Sequence, residues 1–269
     1  ADGARACGAS CRQAATASPS LAREWWQRFF ESPDSIPLSY FPSDRETDAE
    51  VAGICSLLQL TRQDRVLDVC CGMGRHLVRL RARGYDVVGL DYSNMMLRRA
   101  AAAAATWNVA CRLVRGDAAR LPFRSGSFAK VVNLFNSFGY CLSDEDNERV
   151  IREASRCLVR GGDFLLETRN KSYQLAGLPM RCAVRLPNGR RYQHYSHYDR
   201  KRRRLNTEWT EDDASGRLVH AASVRLYEMA ELKRILEEAG LRLVRVFGNY
   251  HGDPFQRHNR QLILLARKA

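Results

Sequence analysis

The segment from residue 65 to residue 91 constrains the fold of this chain more than any other part of its sequence. The apolar run Val66 to Val69 predicts a buried strand, and a turn that contains Gly72 and Gly74 follows it. A helical stretch then precedes a second apolar strand that ends on Asp91. Glycines let backbone approach a ligand, and an acid at the tip of the second strand accepts hydrogen bonds from ribose hydroxyls. The pattern therefore predicts a nucleoside site in an α/β sheet.

The alternation of strands and helices continues well beyond this segment. Apolar spacing predicts helices over 47–60, 75–83, 94–106, 144–158 and 228–239. It predicts strands over 66–69, 86–90, 111–115, 129–135, 164–168, 241–248 and 261–267, with Ser93 as a helix cap and Gly161-Gly162 as a turn. This order is typical of a doubly wound, mostly parallel seven-stranded sheet whose last two strands form an edge hairpin.

Two regions depart from the alternation. Residues 182–186, 191–198, 205–211 and 218–226 have strand character and are separated by turn-forming residues, which predicts an antiparallel β insert after the fifth strand. Residues 21–32 predict an aromatic amphipathic helix, which either packs in the core or covers the ligand pocket. We therefore divide the chain into a disordered tail (1–20), a lid helix and α/β core (21–170), an insert that covers the acceptor or contacts a second copy (171–227), and the end of the core (228–269).

The positive charge of the chain leaves nucleic acid open as a partner. The net charge is +13, and the dense cluster Arg200 to Arg204 falls at a predicted turn. Only five of the 43 basic residues are Lys, and this excess of Arg is typical of genomic composition bias. We interpret the cluster as a solvated turn or the rim of an acidic ligand, with contact to nucleic acid as the alternative.

The expected location is the cytoplasm. No apolar run approaches the roughly 18–20 residues that span a bilayer, and no apolar signal segment is visible. The nine cysteines are odd in number and have no regular spacing, which favours reduced thiols.

The turn after the first strand narrows the class of ligand. It reads Cys70-Cys-Gly-Met-Gly74, which is not the Gly-x-Gly-x-x-Gly of a dinucleotide site, and no Gly-Lys-Ser/Thr follows it. Asp117 comes directly after the third strand, where a carboxylate accepts a hydrogen bond from the exocyclic amine of adenine. These features predict an adenosine site that does not bind a pyrophosphate.

This ordered set of motifs resembles the class I S-adenosylmethionine-dependent methyltransferases over most of residues 45–269. The first motif of that family corresponds to residues 66–74, although Cys70 replaces its first glycine. The resemblance implies S-adenosylmethionine as cofactor, S-adenosylhomocysteine as product, and a cofactor site built from Tyr40, Arg45, Asp68, Cys70, Gly72, Gly74, His76, Asp91, Tyr92, Met96, Asp117, Ala118, Leu134, Phe135 and Asn136.

The resemblance also implies individual roles. Asp68 and the Gly72 backbone border the amino-acid end of the cofactor, and Arg45 pairs with its carboxylate. Asp91 holds the ribose hydroxyls, and Asp117 with Ala118 borders adenine. The tip of the fourth strand, residues 133–136, flanks the sulfur that donates the methyl group.

The branch that this chain resembles acts on small molecules. Arg75-His76, Gly84-Tyr85 and residues 135–140 are similar to bacterial sugar N-methyltransferases of natural-product pathways. The resemblance implies methyl transfer to an amine or hydroxyl of a small molecule by in-line displacement, in a monomer or homodimer.

Acid–base candidates for this reaction are Tyr140, His194 and His197, followed by Tyr40 and His251. His194 and His197 lie three residues apart, so in a strand they face opposite sides and do not form a metal site. We expect an apolar acceptor wall of Tyr192, Tyr195, Tyr198 and Trp209.

Three alternatives stay open. The charge favours an RNA or protein methyltransferase, but the fourth strand ends in Asn133-Leu-Phe-Asn136 rather than in an Asn-Pro-Pro-Tyr tetrapeptide. A non-catalytic module that binds S-adenosylmethionine is the second alternative. A nicotinamide oxidoreductase is the third, and the glycine turn disfavours it.

Overall fold

The computed structural model describes residues 25–31, 41–185, 190–212 and 217–269. The predictions for the tail 1–20, for Tyr40, and for the turns at 187–189 and 213–216 lie outside these residues. The helices are α1 (Trp25–Glu31), α2 (Asp44–Leu57), α3 (Arg75–Ala82), α4 (Asn94–Thr106), α5 (Asp144–Cys157), α6 (Lys171–Ala176) and α7 (Met229–Glu238). The strands are β1 (Arg65–Val69), β2 (Asp86–Asp91), β3 (Arg112–Arg115), β4 (Phe128–Asn133), β5 (Leu158–Arg169), β6 (Met180–Arg185), β7 (Arg191–Asp199), β8 (Arg204–Glu211), β9 (Leu218–Arg225), β10 (Leu241–Phe247) and β11 (Gln261–Lys268).

The predicted fold class is confirmed. Seven strands form one sheet in the order β10-β11-β5-β4-β1-β2-β3. Strand β11 runs antiparallel to both of its neighbours, and the other adjacent pairs are parallel. The strand order reverses at β1, so the carboxyl ends of β1 and β4 border the crevice where such sheets bind ligands.

The sheet is buried on both faces, which explains the continuous apolar runs of its central strands. Val66 packs with Ile54 of α2 and Leu77 of α3 on one face. The next residue, Leu67, packs with residues of α5 and α7 such as Ile151 on the other. Alternate side chains of a strand point to opposite faces, so one short strand supplies both cores. Among the described residues, no helix is long and apolar enough to cross a membrane.

Local signals set most of the helix boundaries. Ser43 and Glu46 form a reciprocal capping box at the start of α2, and the Ser93 hydroxyl accepts a hydrogen bond from the Met96 amide, as predicted for the α4 cap. Helix α7 ends at Glu238, and Gly240 follows the Ala239 cap with a φ of +75° in the left-handed region, which terminates the helix. These bounds agree with the predicted helices to within a few residues.

The predicted start of the fifth strand is wrong. Strand β5 begins at Leu158, and the glycine pair lies inside it. The pairing with β4 shifts from Phe128–Leu158 to Lys130–Asp163, so the extra residues form a bulge. A Cβ on Gly162 would lie 2.8 Å from the carbonyl oxygen of Ala129, which accounts for a glycine there.

The antiparallel insert is confirmed, and it forms a separate four-stranded sheet in the order β6-β7-β8-β9. In its register His194 lies opposite Trp209, and Ser196 lies opposite Thr207. These four side chains share the face that is turned toward the ligand cavity described below. Helix α6, between β5 and the insert, was not predicted, because its six residues are too few to show helical periodicity.

The interpretation of the basic cluster as a solvated turn is wrong for Arg204, whereas Arg203 is an exposed turn residue that also forms ion pairs. Arg203 forms ion pairs with Asp144 and Glu231 at 2.9 and 2.7 Å. The Arg204 side chain is buried and donates to the carbonyl oxygens of Cys141 and Ser223 at 3.0 and 2.7 Å. Arg204 therefore joins the insert to the loop that follows β4.

We predict that Arg204→Ala lowers the free energy of unfolding by about 3 kcal/mol, because it leaves buried carbonyl groups without a donor. Urea denaturation followed by circular dichroism measures the change. The matched control is Arg202→Ala, an exposed position of the same cluster, which changes stability by less than about 0.5 kcal/mol. Equal losses in the two variants would contradict the assignment of Arg204.

Candidate active site

A cavity of about 710 Å³ lies at the carboxyl ends of the central strands. Cys70, Asp91, Leu134 and Arg169 line it from the ends of β1, β2, β4 and β5. Helix α1 and the inner face of the insert sheet line the rest. The cavity therefore has a donor half, built by the ends of β1, β2 and β4, and an acceptor half, built by α1, the insert, the loop after β4 and Arg169, which lies beside Tyr140 of that loop.

The glycine turn contributes open backbone to the donor half. Gly72 has a φ of +54°, and a Cβ added there meets no atom within 4 Å, so the backbone borders free space. At Gly74, by contrast, a Cβ would lie 3.0 Å from the Ala100 Cβ of α4. Gly74 does not line the cavity, and its role is the close packing of α3 on α4.

Cys70 occupies the position where a glycine is expected. Its φ of +61° lies in the left-handed region, which costs a non-glycine residue about 1 kcal/mol. Burial raises the pKa of its thiol well above the usual value, so the thiol is neutral. Cys70 thus adds an uncharged side chain to the cavity wall at the cost of local strain.

Asp68 is the buried carboxyl of the donor half. It is 2 % exposed, and within the described chain no donor forms a hydrogen bond with its carboxylate. Burial and the nearby charge of Asp91 raise the pKa of Asp68 to about 8, although Arg75 opposes this shift. A cationic ammonium group in the cavity would supply the missing partner.

Asp91 and Asp117 provide acceptors along the same wall. The two carboxylate oxygens of Asp91 accept hydrogen bonds from the backbone N–H groups of Gly72 and Ser93 at 2.8 and 2.9 Å. Burial raises the pKa of Asp91 despite these bonds. One oxygen of Asp117 accepts from the Ala119 N–H at 2.9 Å. Each carboxylate keeps lone pairs for hydroxyl or amine donors of a ligand.

Arg75 provides an unused donor. Its Nη1 donates to Glu50 at 2.5 Å and to Thr47 at 2.9 Å. Its Nη2 is buried and has no hydrogen-bond partner among the described residues. His76 Nε2 lies 2.9 Å from the same Glu50 carboxylate, and burial lowers the pKa of His76. Glu50 thus fixes Arg75 with one donor left for an anionic group in the cavity.

The donor half fits S-adenosylmethionine. Asp68 is available for the ammonium group of its methionine moiety, and Arg75 Nη2 for the carboxylate. Gly72 leaves space for the ligand beside the backbone. Asp91 and Asp117 present acceptors for ribose hydroxyls and for an adenine amine. The unpaired Arg75 Nη2 fits an anionic partner and the unpaired Asp68 carboxyl fits a cationic one. S-adenosylmethionine carries both charges.

The structure brings most of the predicted site residues to the cavity wall. These are Asp68, Cys70, Gly72, His76, Asp91, Tyr92, Met96, Asp117, Ala118, Leu134, Phe135, Asn136, Tyr140 and His194. Arg45, Gly74 and His197 are not among the lining residues. Arg45 is exposed in the first turn of α2, whose start is fixed by the capping box. His197 lies on the opposite face of β7 from His194.

Aromatic side chains enclose the acceptor half. Trp25, Phe29 and Phe30 of α1 line the cavity with Tyr140 and Trp209. The Trp25 indole donates to the Tyr140 carbonyl oxygen at 3.1 Å. Burial raises the pKa of the Tyr140 phenol, although a hydrogen bond with Arg169 opposes the shift. Tyr140 is therefore a neutral hydroxyl at physiological pH.

Only one member of the expected aromatic wall lines the cavity, and it is Trp209. Tyr195 is on the other face of the insert sheet, where it stacks on His197 and lies beneath the Arg181 guanidinium. Tyr192 and Tyr198 share the inner face of β7 but lie beyond the cavity, beside Arg190 and Lys171. Tyr195 does not line the cavity because successive side chains of β7 point to opposite faces of the sheet. Tyr192 and Tyr198 do not line it because they lie too far along the strand.

Several lining residues were not predicted. Arg169 lines the acceptor half, and its Nε is buried without a partner among the described residues. Arg260 lines the mouth, because Gln261 pairs with Arg169 across β5 and β11. Ser196 and Thr207 lie on the insert wall with His194. Arg169 could have been predicted from the sequence, because it directly follows a predicted parallel strand.

We predict that Arg75→Gln weakens the binding of S-adenosylmethionine by about 10- to 100-fold, because the buried guanidinium no longer meets the carboxylate. Isothermal titration calorimetry measures the affinities of S-adenosylmethionine and of adenosine. Adenosine lacks the amino-acid moiety, so its affinity stays unchanged. Arg45→Ala is the matched control and retains full affinity. A loss in Arg45→Ala but not in Arg75→Gln would restore Arg45 as the carboxylate partner.

We predict that S-adenosylmethionine binding releases a proton from Asp68 below pH 8. The raised pKa of about 8 means that the free protein holds this carboxyl protonated at pH 7, and the ligand ammonium favours the ionised form. Affinity therefore rises from pH 6 to pH 7.5 by up to about tenfold per unit. Calorimetry in buffers of different ionisation enthalpy counts the protons. Equal release with adenosine, which lacks the ammonium, would exclude Asp68 as the source.

Comparison with known proteins supports this reading of the site. Residues 66–162 match the family model described as a methyltransferase domain. The chain is 29% identical to a glycine/sarcosine N-methyltransferase of Parasynechococcus marenigrum (strain WH8102), over 87% of this chain and 89% of that protein. It is 27% identical to a dTDP-3-amino-3,4,6-trideoxy-alpha-D-glucopyranose N,N-dimethyltransferase of Streptomyces venezuelae, over 81% and 93% of the two chains.

Solved structures share the fold. The CcbJ methyltransferase from Streptomyces caelestis superposes with a TM-score of 0.74 at 23% identity, over 90% of this chain and 98% of that one. DesVI of Streptomyces venezuelae superposes with a TM-score of 0.60 at 25% identity, over 83% and 92%. The match of residues 66–162 to a methyltransferase domain agrees with the strand order and with the charges of the donor half, and together they support an S-adenosylmethionine-dependent methyltransferase.

Proposed function

We propose that this enzyme methylates the amine of a small molecule that also carries an anionic group. The observation that carries the proposal is the Arg169 guanidinium, which lines the acceptor half with a buried Nε that has no partner among the described residues. Arg260 adds a second cation at the mouth. The acidic residues that line the cavity, Asp68, Asp91 and Asp117, all belong to the donor half. A carboxylate or phosphate on the acceptor satisfies both arginines.

An amine fits the acceptor half better than a hydroxyl does. A hydroxyl acceptor needs a strong base, and Tyr140 is a neutral phenol because burial raises its pKa. An amine needs only to lose its extra proton. The positive field of Arg169 lowers the pKa of a nearby ammonium group and so increases the fraction of free amine. The two relatives named above are N-methyltransferases by name, which supports this choice.

The chain's contribution to the reaction is alignment and exclusion of water. The cofactor supplies a methyl group activated on a sulfonium. Phe135 and Asn136 have left-handed φ values of +53° and +62°, and the Phe135 N–H donates to the buried Glu167 at 2.7 Å. This bond fixes the tip of β4 at the wall between the two halves. Helix α1 covers the reacting region with aromatic rings. Little water therefore competes with the acceptor nitrogen for the methyl group.

We infer a small-molecule partner and a reducing cytoplasmic setting. Arg203 and Arg204 of the basic cluster are engaged with protein groups, which removes part of the surface that a nucleic acid would need. The seven cysteines within the described residues are free thiols.

The test is a methyl-transfer assay with matched acceptors. Glycine and sarcosine carry an amine and a carboxylate, and an amino sugar nucleotide carries an amine and phosphates. Glycinamide is the matched control, because it keeps the amine and lacks the charge. We expect turnover of at least one anionic amine and at least tenfold lower kcat/KM for its uncharged counterpart.

Arg169→Gln raises the KM for the anionic acceptor about tenfold or more and leaves S-adenosylmethionine affinity unchanged. Methylation of RNA or of a protein in place of these amines would overturn the proposed acceptor class. Equal kcat/KM for glycine and glycinamide would overturn the role of the arginines.

A further inference from the structure

A row of polar side chains crosses the insert wall of the acceptor half. Thr207 Oγ1 lies 2.9 Å from Ser196 Oγ, and Ser196 Oγ lies 3.4 Å from His194 Nε2. On its other side, His194 Nδ1 lies 3.4 Å from the Cys182 Sγ. All four side chains line the cavity, on three adjacent strands. The apolar rings of α1 and Trp209 make up most of the surrounding wall, so this polar row is a distinct feature within it.

The row runs from the interior to the surface. Thr207, Ser196 and His194 are less than a tenth exposed, at 9, 4 and 7 %. Cys182 lies on the edge strand β6 and is an exposed residue. Hydroxyl groups both donate and accept, so Thr207 and Ser196 can pass a proton to the imidazole at the outer end.

We propose that Thr207, Ser196 and His194 carry the proton of the acceptor amine out of the cavity. This inference rests on the proposed amine acceptor. It gives a role to His194, which is not needed to align the methyl donor with the acceptor. These contacts permit either donor direction, and the path requires one of them: Thr207 donates to Ser196, Ser196 donates to Nε2, and the neutral ring carries its proton on Nδ1, on the Cys182 side.

The proton balance of the step is closed. An N–H bond of the acceptor ammonium breaks, and its proton forms an O–H bond at Thr207 or Ser196. The hydroxyl proton already present moves along the row, and the last transfer forms an Nε2–H bond at His194. The ring becomes an imidazolium, which then releases its Nδ1 proton to water on the Cys182 side. The neutral ring is left with its proton on Nε2, and the ring and the two hydroxyls reorient before the next turnover. The free amine that remains has the lone pair that displacement requires.

The surroundings of His194 suit a proton acceptor. Burial lowers the pKa of His194 below its usual 6.5, so the ring is neutral at pH 7 and available. Cys182 on β6 and Thr207 and Trp209 on β8 face it, and His220 on β9 lies opposite Trp209.

The test compares His194→Gln, Ser196→Ala and Thr207→Val with His197→Gln. His197 is on the same strand but on the outer face, so it is the matched control. The probe is sarcosine at saturating concentration, with S-adenosylmethionine affinity and thermal melting as checks on folding. Activity of the native enzyme toward sarcosine is established first, so that failure of the acceptor assignment is distinguished from failure of the path.

We expect His194→Gln to lower kcat at pH 7.5 by about 100-fold, with the KM for sarcosine nearly unchanged. In the native enzyme kcat falls as the pH drops through the pKa of His194, because only the neutral ring accepts a proton. This decrease of kcat at low pH, the acidic limb of the profile, is absent in His194→Gln. Ser196→Ala and Thr207→Val each lose about tenfold, and adding either to His194→Gln causes little further loss, because the residues act in one path.

Native kcat and an unchanged acidic limb in His194→Gln would overturn the proposal, as would an equal loss in His197→Gln. Nitrogen NMR of the histidine rings gives a result that does not depend on any acceptor. We expect a neutral His194 with its proton on Nδ1 at pH 7. An imidazolium, or a proton on Nε2, would also overturn the path, even if sarcosine is not a substrate.

Discussion

The hydrogen bond from the Gly72 N–H to the Asp91 carboxylate, 2.8 Å long, fixes the turn on which the donor half depends. The same carboxylate accepts from the Ser93 N–H and so also fixes the start of α4. Its charge lies near Asp68 and contributes to the raised pKa of that buried acid. The geometry that forms the cofactor site thus places two acidic groups close together, and binding of a cation relieves their repulsion.

Helix α1 connects this donor half with the acceptor half. The Ser93 hydroxyl donates to the Phe30 carbonyl oxygen at 2.8 Å, and the Trp25 indole donates to the Tyr140 carbonyl oxygen. Arg204 holds the loop that contains Tyr140 against the insert. Core, helix α1, loop and insert are therefore linked by hydrogen bonds to backbone groups, which position the acceptor wall relative to the donor site.

The donor half was predictable because its residues lie at the ends of predicted strands or shortly after them in sequence. Asp91 and Asp117 needed only the rule that parallel strands end at one edge, whereas the role of Asp68 came from the resemblance to a known family. Arg75 was missed as a ligand partner because its availability depends on how Glu50 of α2 uses the other half of its guanidinium. The acceptor half depends on strand pairing between distant segments, so the sequence indicated His194 but not its neighbours Ser196 and Thr207.

The charge distribution of the cavity connects the two halves chemically. Methyl transfer moves a positive charge from sulfur to nitrogen, away from the acids of the donor half and toward Arg169. A methylated ammonium beside Arg169 is disfavoured and tends to lose its proton. Because an amine must be free before it can accept another methyl group, the rate at which protons leave through His194 also governs whether the same nitrogen is methylated again. The polar row on the insert therefore bears on the number of methyl groups transferred as well as on their rate.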